Sequence, residues 1–148
     1  MIDDIDRKIL NLLSQNAKMS MHEISEQISL SAAGIHQRIK KLEDQGFVKG
    51  SRIILDYEKL ELRTMAFIGV FLEKAGIYYG VVDELKAIPE VLECHFTTGN
   101  YSLLVKILCN DNQHLMEVLS NRIQKIQGIL RTETFIVLEN PIERAVKL

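Results

Sequence analysis

Residues 93–107, ECHFTTGNYSLLVKI, place a Gly99-Asn100 pair between two apolar, β-branched runs. A glycine-containing turn between such runs is a hairpin signal, because it lets two strands reverse and pair. The turn is also flanked by Thr97, Thr98, Tyr101 and Ser102, more hydroxyls than a chain reversal requires. The segments on either side supply the rest of a sheet. Upstream, TMAFIGVFLE (64–73) reads as a strand and 77–87 as a helix with Ile77, Val81 and Leu85 in line. VLECHFTT (91–98), after Pro89, reads as a second strand. Downstream the pattern repeats. A strand over 101–109 leads to a helix over 112–126, with Leu115, Leu119, Ile123 and Ile126 on one side, and a last strand spans 130–138. The order βαββαβ is that of the ferredoxin-like split βαβ fold, and the quoted hairpin joins its central strands.

The strands are apolar on both sides. In 64–73, Ala66, Ile68, Val70 and Leu72 point one way and Met65, Phe67 and Phe71 the other. Two helices cover only one face of a four-stranded sheet, so the other needs a cover of its own. A second copy of the sheet across a two-fold axis supplies one, and burial by the N-terminal part of the chain is the competing explanation. The residue pattern favours the homodimer.

The first half carries a different pattern. IDDIDRKILNLLSQN sets Ile2, Ile5, Ile9, Leu12 and Leu13 on one helical face, with Asp3, Asp4 and Asp6 in the first turn where the helix dipole favours acids. Ser20 with Glu23 three residues on is a capping-box signature for a second helix, MHEISEQI. Ser31 then reads as the N-cap of a third, AAGIHQRIKKLEDQ. Its inward face is Ile35, Ile39 and Leu42, and its opposite face presents Ala33, Gly34, Gln37, Arg38 and Lys41, with His36 and Lys40 at the margins. After Gly46, FVKGSRIILD gives two short strand-like pieces around Lys49-Gly50, the size of a β-wing. Two short helices joined by a tight turn, the second of them basic, suggest a helix-turn-helix. Gln37 and Arg38 have the chemistry to read base edges, and Lys40, Lys41, Lys49 and Arg52 suit phosphates. A solvated basic helix face is the bland alternative.

Charge fits a local rather than a global footprint. The chain of 148 residues has a net charge of −2. Residues 31–52 hold five bases against Glu43 and Asp44, a local +3, so the remainder carries −5. At 47% apolar and 26% charged, the composition is that of an ordinary globular protein, with no apolar run long enough to cross a bilayer. The acidic start, MIDDIDRKIL, lacks the basic and then apolar order of a signal peptide, so a cytoplasmic location is expected. Cys94 and Cys109 lack any metal-ligand spacing and read as reduced thiols. His22, His36, His95 and His114 are scattered, and no nucleophile–base pair, phosphate loop or metal cluster is visible. Neither catalytic residues nor a metal or other cofactor are expected, and the chain does not read as an enzyme.

These segments together resemble the Lrp/AsnC family of bacterial and archaeal transcription regulators. The carriers are IDDIDRKIL, EISEQISLSAAGIHQRIKKLEDQGFVKG, ECHFTTGNYSLLVKI and RTETFIVLENPI, covering essentially the whole chain. The TTG-x-YS turn and the TETFIVLENPI tail look closest to the asparagine-responsive AsnC branch. The resemblance implies an α+β architecture: a winged helix-turn-helix at 1–50, a linker strand at 51–63 and a ferredoxin-like effector-binding and oligomerisation domain at 64–148. It implies double-stranded DNA as a partner, dimers that assemble into an octamer of four, and an amino acid bound between dimers. On the residues of this chain it implies a recognition helix at 31–42, which includes Ser31, and an effector loop of Thr98, Gly99, Asn100, Tyr101 and Ser102. Glu133, Thr134 and Ile136 are carried over from the last strand. Many members have aspartates on both sides of the aromatic residue of the turn, where this chain has Asn100 and Ser102. The AsnC branch shares Ser102 and has a histidine in place of Asn100.

The chemistry agrees with an amino-acid ligand. An α-carboxylate wants converging N–H and O–H donors, which Gly99, Thr98 and Ser102 can supply, and an ammonium wants an acceptor such as Glu133. A small polar effector such as asparagine suits hydroxyls and amides better than leucine would. The alternative of another class is a ligand-insensitive, nucleoid-type DNA-architectural protein in which the turn is only a hairpin.

Overall fold

Three capped helix starts organise the N-terminal part of the chain. Asp3 accepts the Asp6 N–H, and Asp6 accepts the Asp3 N–H in return, at the head of α1 (Asp4–Gln15). Ser20 and Glu23 make the same reciprocal pair for α2 (Met21–Ile28), and Ser31 Oγ accepts the Gly34 N–H for α3 (Ala32–Asp44). Each cap satisfies a backbone donor that the helix leaves unpaired. Ile9, Ile24 and Ile35, one from each helix, are fully buried against one another, ringed by partly buried Leu12, Leu13, Ile28 and Ile39.

The computed structural model describes residues 2–148, Ala75 by its backbone only, and folds into two compact units. One is Met1–Ile54 with Pro141–Leu148, and the other is Leu55–Asn140. Met1, the first residue of the expected 1–50 segment, lies outside the described residues. The last residues of the chain cluster with the helical unit rather than with the rest of 64–148. There Asn11 Nδ2 donates to the Leu148 oxygen at 3.0 Å and the Leu148 N–H donates to Asn11 Oδ1 at 2.8 Å.

The strand-like pieces expected around Lys49-Gly50 and the linker strand expected at 51–63 do not form. No strand is present between Asp44 and Thr64, and Ile53, Ile54 and Leu55 are exposed. A strand exists only when its N–H and C=O groups bond to a neighbour, and within this chain the segment pairs with none.

The second unit is a four-stranded antiparallel sheet in the order β2-β3-β1-β4, with β1 Thr64–Leu72, β2 Val91–Phe96, β3 Leu103–Cys109 and β4 Ile129–Ile136. Helices α4 (Tyr78–Lys86) and α5 (Asn112–Asn121) complete the βαββαβ order. The expected helix over 112–126 stops early. Arg122 leaves helical geometry, its guanidinium bonded to Glu90 and the Ala87 carbonyl, and a single 3-10 turn follows at Ile123–Lys125. Ala66, Ile68 and Val70 of β1 and Leu103, Val105 and Ile107 of β3 are buried under Val81 and Leu85 of α4 and Leu115 and Val118 of α5. Strand alternation puts Met65, Phe67 and Phe71 on the opposite face, with Leu104, Lys106, Glu93, His95 and Phe135 beside them. These apolar side chains lie on the side away from both helices and are only half-buried or, for Phe135, exposed.

Candidate DNA-reading helix and effector turn

On α3 the spacing of the buried residues fixes what faces outward. Ile35 and Leu42 are buried, so Ala33, His36, Gln37, Lys40 and Lys41 fall on the exposed side, and Ser31, Lys49 and Arg52 are exposed too. Gly34 is half-buried against its cap. These side chains form a polar and basic strip along the helix, with the small Ala33 in its first turn allowing close approach.

Arg38 does not belong to that strip. It stands three residues after Ile35 and four before Leu42, on the inward-facing side of the helix. Its Nη1 donates to Asp3 Oδ2 and to Asp6 Oδ1, both at 2.7 Å, and Asp6 is buried. The guanidinium beside Asp3 holds that carboxyl below the usual carboxylate range, and the two carboxylates in turn raise the pKa of Arg38. Arg38 thus lies on the inward-facing side rather than on the opposite face where it was expected, and its bonds tie α3 to the head of α1. The signal was in the sequence, in the three-residue spacing from Ile35 and the aspartates opening the first helix.

In the second unit the chain between β2 and β3 is wider than a two-residue hairpin. Phe96 pairs with Leu103, and the Thr97 N–H donates to the Ser102 carbonyl, leaving Thr98, Gly99, Asn100 and Tyr101 as the turn. The expected strand start at 101 moves to Leu103, although Ser102 still gives its N–H to the Val70 carbonyl of β1 at 2.9 Å. Gly99 has φ +101°, a conformation that residues bearing a Cβ resist, and open space where a Cβ would stand. Thr98, Gly99 and Asn100 are exposed.

Two of the surplus hydroxyls have internal work. Thr97 Oγ1 donates to the Tyr101 carbonyl at 2.9 Å, and Ser102 Oγ accepts the Leu72 N–H at 3.4 Å. A third, the Tyr101 hydroxyl, donates to Glu133 Oε2 at 2.7 Å, and this bond raises the tyrosine pKa above its ordinary value. Arg131, which sequence reading did not single out, donates to Glu133 Oε1 at 3.4 Å and sits 3.8 Å over the Phe71 ring. Turn, Tyr101, Arg131 and Glu133 thus share one corner of the uncovered sheet face, with a cation and an anion side by side.

Thr134 and Ile136 do not reach that corner within the chain. They pair with Ile68 and Ala66, and alternation along β4 turns them to the helix side, opposite Glu133. On the free face His95 lies 3.0 Å from Glu93 and Lys106 bonds the same carboxylate, which together hold Glu93 below the usual range. Both cysteines are free, and burial pushes the Cys109 thiol up to about 11, which disfavours the thiolate that a ligand or nucleophile requires. Among the described residues no group of histidines, cysteines and carboxylates could hold a metal, and no helix is long and apolar enough to cross a membrane. An open polar groove of about 680 Å³, lined by residues such as Arg63, Thr64 and Asp111, lies at the other end of β1 from the turn.

Comparison with known proteins bears on both units. Residues 2–49 match the winged helix-turn-helix DNA-binding model, and residues 65–146 match the Lrp/AsnC ligand-binding domain. The chain is 38% identical over 146 residues to the regulatory protein AsnC of Haemophilus influenzae, covering 99% of this chain and 97% of that one. It is 39% identical over 147 residues to AsnC of Escherichia coli, with the same coverage. The solved structure of E. coli AsnC superposes with a TM-score of 0.94 at 38% identity, over 100% of this chain and 99% of that one. A transcriptional regulator of Neisseria meningitidis in complex with L-Met gives 0.94 at 28% identity, over 100% and 96%. These are regulatory proteins and transcriptional regulators, and the matched domains are for binding DNA and ligand rather than for catalysis. The chain belongs to the Lrp/AsnC family of DNA-binding, amino-acid-responsive transcription regulators.

Proposed function

We propose that this protein is a cytoplasmic, sequence-specific transcription regulator whose assembly or DNA affinity is set by a small polar amino acid, asparagine before others. The exposed strip Ala33, His36, Gln37, Lys40 and Lys41 on a capped helix carries the DNA half of the reading. Gln37 takes a base edge, Lys41, Lys40, Lys49 and Arg52 take phosphates, and Ser31 and Gly34 set the helix start. The effector half rests on the exposed Gly99 turn beside the Arg131–Glu133 pair, which offers donors to a carboxylate and an acceptor to an ammonium. Thr134 and Ile136, on the other side of their strand, join such a site only through a neighbouring chain. That supports effector binding between dimers of a larger ring, with Asn100 and Ser102 tuning the choice of amino acid.

One observation favours the architectural alternative: Thr97, Tyr101 and Ser102 already spend hydroxyl bonds on the turn itself. DNA selected from a random-sequence pool separates the two readings. A Gln37→Ala chain is expected to lose about 1–3 kcal/mol of discrimination at one base position. Lys41→Ala should weaken binding to every sequence and lower the salt slope by about 1. Selection of no consensus, or affinity for the selected DNA that no amino acid alters, would favour the architectural protein.

A further inference from the structure

We propose that Tyr101 is a positioning residue, its ring laid on the bare backbone of Gly69 and its hydroxyl fixed by Glu133, so that it holds the turn 98–100 in place for the effector rather than touching the effector itself. This rests on the reading of that turn as the effector site.

The packing is specific to a glycine at position 69. A Cβ built there would stand 2.5, 2.6 and 2.8 Å from three atoms of the Tyr101 ring, closer than such contacts occur. Gly69 lies in β1, bonded on one side to β3 and on the other to β4, so the backbone cannot retreat. Tyr101 fills the space left by the missing side chain. Phe71 and Phe135 flank the ring edge-on, at 5.2 and 6.0 Å between centroids.

Four anchors then meet at two adjacent residues, three on Tyr101 and one on Ser102. They are the ring on Gly69, the hydroxyl on Glu133, the carbonyl bonded by Thr97 Oγ1, and the following N–H bonded to the Val70 carbonyl. The three residues before it, Thr98, Gly99 and Asn100, are exposed. Their placement is inherited from the anchored residue beside them. A short bond to a carboxylate is stronger than a neutral one, and Arg131 on the other oxygen keeps that carboxylate oriented. Tyr101 thereby couples β4 and β1 to the turn.

The test uses the full chain with four changes: Tyr101→Phe, Glu133→Gln, their double, and Gly69→Ala. Amide exchange of 98–102 is read without ligand, and affinity is read with asparagine and then with each of the other nineteen amino acids. Tyr101→Phe keeps the ring and removes only the bond, so it tests the idea even where Gly69→Ala fails to fold. Exchange in the turn should rise about tenfold and affinity fall about tenfold in Tyr101→Phe, and Glu133→Gln, whose amide oxygen still accepts the hydroxyl but more weakly, should raise exchange less. The double should raise exchange no further than Tyr101→Phe alone, because with the hydroxyl gone no bond remains at position 133 to lose, whereas two independent structural defects would add. Unchanged exchange in Tyr101→Phe overturns the proposal whatever the ligand results. Raised exchange with equal or tighter binding also overturns it, since the hydroxyl would then be a competitor for Glu133. If the unaltered chain binds no amino acid while the exchange responds as expected, the effector reading falls and the anchoring of the turn stands.

Discussion

At the scale of the residue, Arg38 shows how position on a helix outranks side-chain chemistry. Its guanidinium is suited to guanine, yet its spacing from Ile35 and Leu42 aims it at Asp3 and Asp6. The pair makes the helical unit sensitive to acid. Asp3 has a lowered pKa in the folded chain, so its contribution is present above the unfolded value near 4 and is lost as pH falls through the folded one. Stability of the helical unit is expected to decline below about pH 5, and Arg38→Gln should be less stable at neutral pH but decline less over that window. Chemical denaturation of both chains from pH 7 down to pH 2.5 checks it. Parallel curves would remove the ion pair from the account. Arg38→Gln should also leave the base preference of selected DNA intact, unlike Gln37→Ala.

At the scale of the element, what was legible followed from local rules. Ser20 with Glu23, and Ser31, mark the starts of α2 and α3 in the sequence because the cap is made by residues three apart. The alternation of 64–73 and 101–109 gave β1 and β3 and their two apolar faces for the same reason. What was not legible depends on partners distant in the chain. α5 ends early as Arg122 turns to Glu90, and the segment after Gly46 lacks a strand to pair with. Within the site, the composition of the turn suggested binding, but the Gly69–Tyr101–Glu133 stack required three separate strands or turns to be brought together. The cap of α3 invites a direct measurement. Ser31→Ala should cost about 1 kcal/mol in urea unfolding and fray the first turn of the reading helix. An unchanged midpoint would mean that the Gly34 N–H finds another acceptor.

At the scale of the whole molecule, two units divide the labour. One presents a basic strip on a chain of net charge −2, and the other presents a polar corner with a cation and an anion beside an uncovered apolar sheet face. Burying Met65, Phe67, Phe71, Leu104 and Phe135 against a second copy would satisfy that face, and stable interfaces of this kind bury more than about 1,000 Å². The native mass is therefore expected to be a multiple of 16.9 kDa, and Phe67→Asp together with Phe135→Asp should reduce it to a single chain. A single-chain mass for the unaltered protein would leave the face to another cover. Binding of an amino acid at the turn is read by thermal unfolding with each of the twenty. An effector at 100 times its Kd adds about 2.7 kcal/mol to the folded state, so asparagine or a similar small polar amino acid should raise the melting temperature by several degrees. A melting temperature that none of the twenty moves would contradict it.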